Sequence, residues 1–143
     1  MCGLSFTQTL PSPQVFKNLR DSAAWGEITL EQSKLALASS LGGISALYEG
    51  ELIAMARFVG DGTLNIYIQD VIVAEPHRGR GIGKELIKQL LAFLKNNYPA
   101  DCTIGLMAAK GQDGFYAQFG FTARPSHVYG AGMIAPLGDI RLS

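Results

Sequence analysis

The segment Val71-Ile-Val-Ala-Glu-Pro-His-Arg-Gly-Arg-Gly-Ile-Gly-Lys84 constrains the fold more than any other stretch of the chain. A β-branched run stops, a proline turns the backbone, and glycines at 79, 81 and 83 open the longest helical pattern. In that pattern Ile82, Leu86, Ile87, Leu90, Leu91 and Leu94 recur at helical spacing as far as Asn97. A buried strand that passes through a glycine turn into an amphipathic helix is an α/β unit. Its turn collects free backbone N–H groups at the positive end of the helix dipole, so Arg78–Lys84 form an anion site. Gly79, Gly81 and Gly83 let the backbone come close to the anion, and Arg78, Arg80 and Lys84 add charge. A Walker A loop does not fit: three residues separate Gly79 from Gly83, and Glu85 follows Lys84 in place of Ser or Thr. A Rossmann loop does not fit either, because it needs glycine at position 84.

The flanking sequence extends this unit into a mixed sheet. Leu4–Leu10 reads as a strand ended by Pro11. Ser12-Pro13 is a helix start, with serine as N-cap and proline at the first helical position, and Val15, Phe16 and Leu19 give an apolar stripe as far as Ser22. Thr29 with Gln32 makes a capping box for a second helix, Leu30–Ser40. Strands are expected at 44–49, 52–59 and 63–73. The turns at Gly50 and at Gly60-Asp61-Gly62 make them antiparallel neighbours. Further strands are expected at 103–108, 121–124 and 129–137, with a short helix at 115–119. The expected architecture is α/β (α+β): a mixed, mostly antiparallel central sheet flanked by about four helices. At 143 residues it reads as a single domain, 1–143.

Composition narrows the function. Lys+Arg and Asp+Glu are 12 each, so the formal net charge of zero argues against a nucleic-acid binder. Two cysteines, Cys2 and Cys102, and two histidines, His77 and His127, give neither a disulfide framework nor a histidine-based metal site. A reduced, cytoplasmic setting is expected, with no metal. The N-terminus shows no basic stretch followed by an apolar run, so no signal peptide is expected. No stretch is long and apolar enough to predict a membrane span.

Two motifs together point to one family. Arg78-x-x-Gly81-x-Gly83 resembles the pyrophosphate loop of the GNAT N-acetyltransferases, and here it sits between a Val-x-Val strand and a strong helix. Downstream, Phe115-Tyr-Ala-Gln-Phe-Gly-Phe121 is similar to the Phe-Tyr-x-x-Phe-Gly-Phe/Tyr segment near the C-terminus of those enzymes. The resemblance implies a GNAT fold, acetyl-CoA as co-substrate, and direct attack of a neutral amine on the thioester.

By residue, the resemblance implies pyrophosphate held by Arg78, Gly79, Arg80, Gly81, Ile82, Gly83 and Lys84. It implies pantetheine lying between strands 64–73 and 103–108 as these splay apart, bonded by backbone groups of Val71 and Val73. The amide of Ile72, or of a neighbour, would polarise the thioester carbonyl. Tyr116 is implied as general acid: a phenol of pKa near 10 can donate to a thiolate of pKa near 8.5 as it forms. Asp70, immediately before the Val71–Val73 triplet, is the first candidate for general base or ammonium anchor. Glu75, His77 and a relaying water are alternatives. Trp25, Glu27 and Tyr48 are candidates for the acceptor pocket. The expected acceptor is a small primary amine. The alternatives are a protein N-terminus or lysine, or a non-catalytic CoA-binding module. C-terminal strands in this family often pair across a dimer, so the resemblance offers a homodimer as one assembly, and the sequence leaves the oligomeric state open.

Overall fold

In the computed structural model, which describes residues 2–142, five strands form one sheet in the order β1-β2-β3-β4-β5. They are β1 (Leu4–Thr7), β2 (Gly42–Tyr48), β3 (Glu51–Gly60), β4 (Asn65–Val73) and β5 (Thr103–Leu106). Neighbours are antiparallel except β4 and β5, which are parallel. The helices are α1 (Pro13–Ser22), α2 (Leu30–Ala38), α3 (Ile82–Asn97) and α4 (Asp113–Ala117). The mixed α+β architecture expected from the sequence is therefore the one observed. The chain divides into two units, one up to Met107 and one from Ala108.

In the first unit the helix caps are those the sequence announces. Ser12 Oγ accepts the N–H of Val15, with Pro13 opening α1. Thr29 and Gln32 form the reciprocal capping box of α2. Strand residues alternate between two covered faces. On one face Phe58 packs near Phe93 of α3, with ring centroids 6.0 Å apart. There α3 buries Ile82, Leu86, Ile87, Leu90 and Leu94, each worth roughly 1.5–3 kcal/mol of apolar burial. On the other face Phe16 and Leu19 of α1 pack with Met55 and Ile72. Arg57, next to Phe58, therefore points to the α1 face, 5.6 Å over the Phe16 ring.

β4 contains a bulge. Met55 pairs with Ile72 and Arg57 with Gln69, so Asp70 and Val71 together oppose the single residue Ala56. Asp70 carries φ +55°, the left-handed region that Asp tolerates better than most residues. The bulge exchanges the faces. Ile68, paired with Phe58, lies on the α3 side, whereas Asp70 and Ile72 turn to the α1 side.

The second unit departs from the expected strands. α4 lies two residues earlier than the expected 115–119, and neither 121–124 nor 129–137 forms a strand. Pro125 removes a ladder donor at the first of these. In the second, Gly130, Gly132 and Pro136 interrupt the pattern. What forms there is local: Ser126 N–H donates to Tyr129 O at 2.7 Å and Arg124 Nε to Gly130 O at 2.7 Å. A single 3₁₀ turn covers Leu137–Asp139.

Candidate active site

The strand–loop–helix segment places its glycines as an open cradle. Arg78 Nε donates to Val73 O at 2.9 Å, which pins the loop to the end of β4. Gly79 and Gly81 have φ of +78° and +79°, and a Cβ on either would meet no atom within 4 Å. The cradle is thus open on its outer side. Gly81 caps α3 with no side chain, and the first helical bond runs from Glu85 N–H to Gly81 O. Among the described residues no N–H from Gly79 to Lys84 finds a partner. Arg78, Arg80 and Lys84 are exposed around these donors. The structure thus brings together the seven residues 78–84 expected to hold an anion.

β4 offers a free edge beside the cradle. Pairing with β5 runs from Asn65–Thr103 to Ile68–Leu106 and then stops, so among the described residues no strand covers Gln69–Val73 on that side. Ala74 N–H donates to Ile53 O at 2.8 Å, which makes that position a hydrogen-bonded pair with β3. Antiparallel alternation then turns the amide of Ile72 toward β3 as well, and those of Val71 and Val73 toward the open side.

A family model of the acetyltransferase (GNAT) family matches residues 10–121. The chain belongs to the GNAT acetyltransferase family. A curated relative, the uncharacterized N-acetyltransferase ycf52 of Gracilaria tenuistipitata var. liui, is 33% identical over 118 residues, 80% of this chain. The match spans 64% of that relative's length. Among solved structures, Staphylococcus aureus SA2161, described as a probable acetyltransferase, superposes with a TM-score of 0.80 at 25% identity, covering 93% of this chain and 98% of that one. The GNAT family acetyltransferase SP0256 of Streptococcus pneumoniae gives 0.76 at 26%, covering 93% and 97%.

Acetyl-CoA is the acetyl donor of GNAT enzymes, and residues 78–84 suit its pyrophosphate in backbone geometry and charge. No group of three or more His, Cys, Asp or Glu among the described residues could hold a metal ion. No helix of the described residues is long and apolar enough to cross a membrane.

Asp70 meets surroundings the sequence reading did not include. Its Oδ1 accepts Arg20 Nη1 and its Oδ2 accepts Arg57 Nε, both at 2.5 Å, and its side chain is 1% exposed. Arg57 also donates Nη1 to Ser40 Oγ at 3.2 Å, while Arg20 lies 5.6 Å over the Trp25 ring. A signal for this cluster was present in the chain. Arg57 is a lone charge inside the apolar run Leu52–Val59, and a charge in a buried strand needs a counterion. Asp70 is the matching lone charge on the neighbouring strand. Tyr67 also borders the cluster: burial first, and the Asp70 charge second, push its phenol above the usual tyrosine range.

In the second unit Tyr116 stands in an aromatic group, its ring centroid 5.0 Å from Phe115 and 6.1 Å from Phe121. Burial raises its phenol above the ordinary value of 10.0, so it stays protonated at neutral pH. Trp25 is half exposed, as an acceptor-pocket candidate requires. Tyr48 lies against His77, with ring centroids 5.6 Å apart.

Proposed function

We propose that this protein is an acetyl-CoA-dependent N-acetyltransferase acting on a small primary amine, with residues 1–143 working as one catalytic domain. The observation that carries the reading is the partnerless row of N–H groups from Gly79 to Lys84, set beside the uncovered edge of β4. Those N–H groups, with Arg78, Arg80 and Lys84, hold the pyrophosphate. Val71 and Val73 bond the pantetheine arm. Since the Ile72 amide turns to β3, the donor that polarises the thioester carbonyl is Val71.

The amine nitrogen attacks the carbonyl carbon, the C–S bond breaks, and the coenzyme A sulfur takes a proton from Tyr116. A phenol kept protonated by burial suits a proton donor. Asp70 takes a different part from the base first expected of it. Its side chain is 1% exposed and both its oxygens face guanidinium groups, so the attacking amine has no direct access to it. It positions Arg20 and Arg57, and water carries the proton away from the attacking amine. The reading takes the homodimer and the cytoplasmic setting from the family resemblance and the cysteine content.

The test is release of free thiol from acetyl-CoA against polyamines, amino sugars and their phosphates, amino acids, arylalkylamines and short peptides. Turnover with a small-amine class supports the reading. Turnover with peptides alone makes the protein a peptide acetyltransferase. Acetyl-CoA binding without turnover on any of them makes it a non-catalytic module.

A further inference from the structure

We infer that the amine acceptor also carries an anionic group, and that Arg20, assisted by Arg57 and faced by Trp25, is its receptor. The inference rests on the acetyltransferase reading and deepens it.

The argument begins with charge. The charged side chains joined around α1 and the β4 bulge are Lys17, Arg20 and Arg57 against Asp21 and Asp70. Three positive charges face two negative ones, so the cluster keeps a surplus of one. Lys17 and Asp21 already satisfy each other, and Asp21 also accepts the N–H of Ile28. Asp21 also lies under the influence of the Arg20 charge, while Arg20 and Arg57 share the single carboxylate of Asp70. Holding an unmatched guanidinium in a partly buried place is unfavourable unless an anion completes it.

Donor accounting singles out Arg20. Arg57 uses Nε on Asp70 and Nη1 on Ser40. Arg20 uses Nη1 alone, and its buried Nε has no partner. The Arg20 side chain is 19% exposed and that of Arg57 13%, so Arg20 is the one a solute reaches more readily. Trp25, 51% exposed and stacked on Arg20, supplies an apolar wall. A planar guanidinium with free donors beside an aromatic ring matches a carboxylate or phosphate on a small molecule.

Position connects the cluster to the reaction. Asp70, which holds both arginines, is the residue next to Val71 in the bulge, where β4 has just lost its β5 partner. An acceptor whose anion rests on Arg20 thus has its amine close to the open edge of β4.

The experiment uses matched acceptors that differ in the anion: tyramine against tyrosine, putrescine against ornithine, ethanolamine against its phosphate ester. Thiol release from acetyl-CoA gives kcat/KM for each. The anionic member of at least one pair is expected to be favoured tenfold or more, a difference of about 1.4 kcal/mol. Tyrosine and ornithine test a carboxylate, and the phosphate ester tests the other source. Arg20→Gln should reduce the ratio to near one through a rise in acceptor KM, and Arg20→Lys should restore part of it. Neutral members preferred by the wild-type protein overturn the inference and leave the acetyltransferase reading standing. A preference that survives in Arg20→Gln, with the fold intact by circular dichroism, overturns the role of Arg20. Silence on every pair and on the wider panel overturns the reading and the inference together.

Discussion

Replacing Gly81 by valine separates what the backbone needs from what the site needs. Gly81 has φ +79°, and a Cβ there meets nothing within 4 Å. The folding cost is therefore mainly the left-handed penalty, about 1–2 kcal/mol and somewhat more for a β-branched residue. A domain with about 5–15 kcal/mol of stability remains folded after that loss. Binding should respond far more. The side chain enters the space over the N–H groups and blocks a pyrophosphate from at least two of them. Charge-assisted bonds contribute about 1.5–3 kcal/mol each, so acetyl-CoA affinity should fall roughly a hundredfold or more. Gly50 provides the control. Its φ is +83°, a Cβ on it also meets nothing within 4 Å, and it lies on the β2–β3 turn outside the loop. Gly50→Val should lose similar stability and keep its affinity. Urea denaturation and calorimetric titration of both variants decide the matter. Gly81→Val binding acetyl-CoA within threefold of the parent would refute the cradle, and an equal loss in Gly50→Val would refute its locality.

Other consequences are direct. Tyr116→Phe should lower kcat about a hundredfold with little change in acetyl-CoA affinity, and unchanged turnover removes it as the acid. Because burial raises the Tyr116 phenol above 10.0, any alkaline loss of kcat due to this group should have its midpoint above pH 10, and a limb near pH 8 that vanishes in Tyr116→Phe would contradict its assignment. Asp70→Asn leaves two guanidinium groups facing an uncharged amide and should cost about 3–5 kcal/mol in urea denaturation; a loss under 1 kcal/mol would show that the cluster is not a buried ion network. Asp61 accepts N–H groups of Thr63, Leu64 and Asn65, which hold its carboxyl below the ordinary 3.8. That contribution is present above pH 3.8 and is lost as pH falls through the lower folded value. Asp61→Ala should therefore be destabilised at pH 7, with the gap to the parent narrowing as pH falls below 3.8.

The local signals and the long-range ones were unequally legible. Caps at Ser12 and Thr29, the Gly60-Asp61-Gly62 turn and the apolar spacing of α3 act between residues close in sequence, and each marks its element to within a few positions. The bulge at Asp70–Val71 does not announce itself. Residues 66, 68, 70 and 72 are all buried, which reads as one uninterrupted face, yet the bulge divides them between two. Without it Asp70 points to the wrong side of the sheet, and its pairing with Arg20, fifty positions away, is invisible. The strands expected at 121–124 and 129–137 had β-forming residues but no partner, and pairing decides whether such segments become strands.

The measurement that bears most directly on the central claim compares acetyl-CoA with acetyl-pantetheine, which keeps the thioester arm and lacks the pyrophosphate, by calorimetric titration. If Arg78–Lys84 read the pyrophosphate, acetyl-CoA should bind at least a hundredfold more tightly, and Gly81→Val should erase most of that advantage. Equal affinity for the two thioesters would contradict the account.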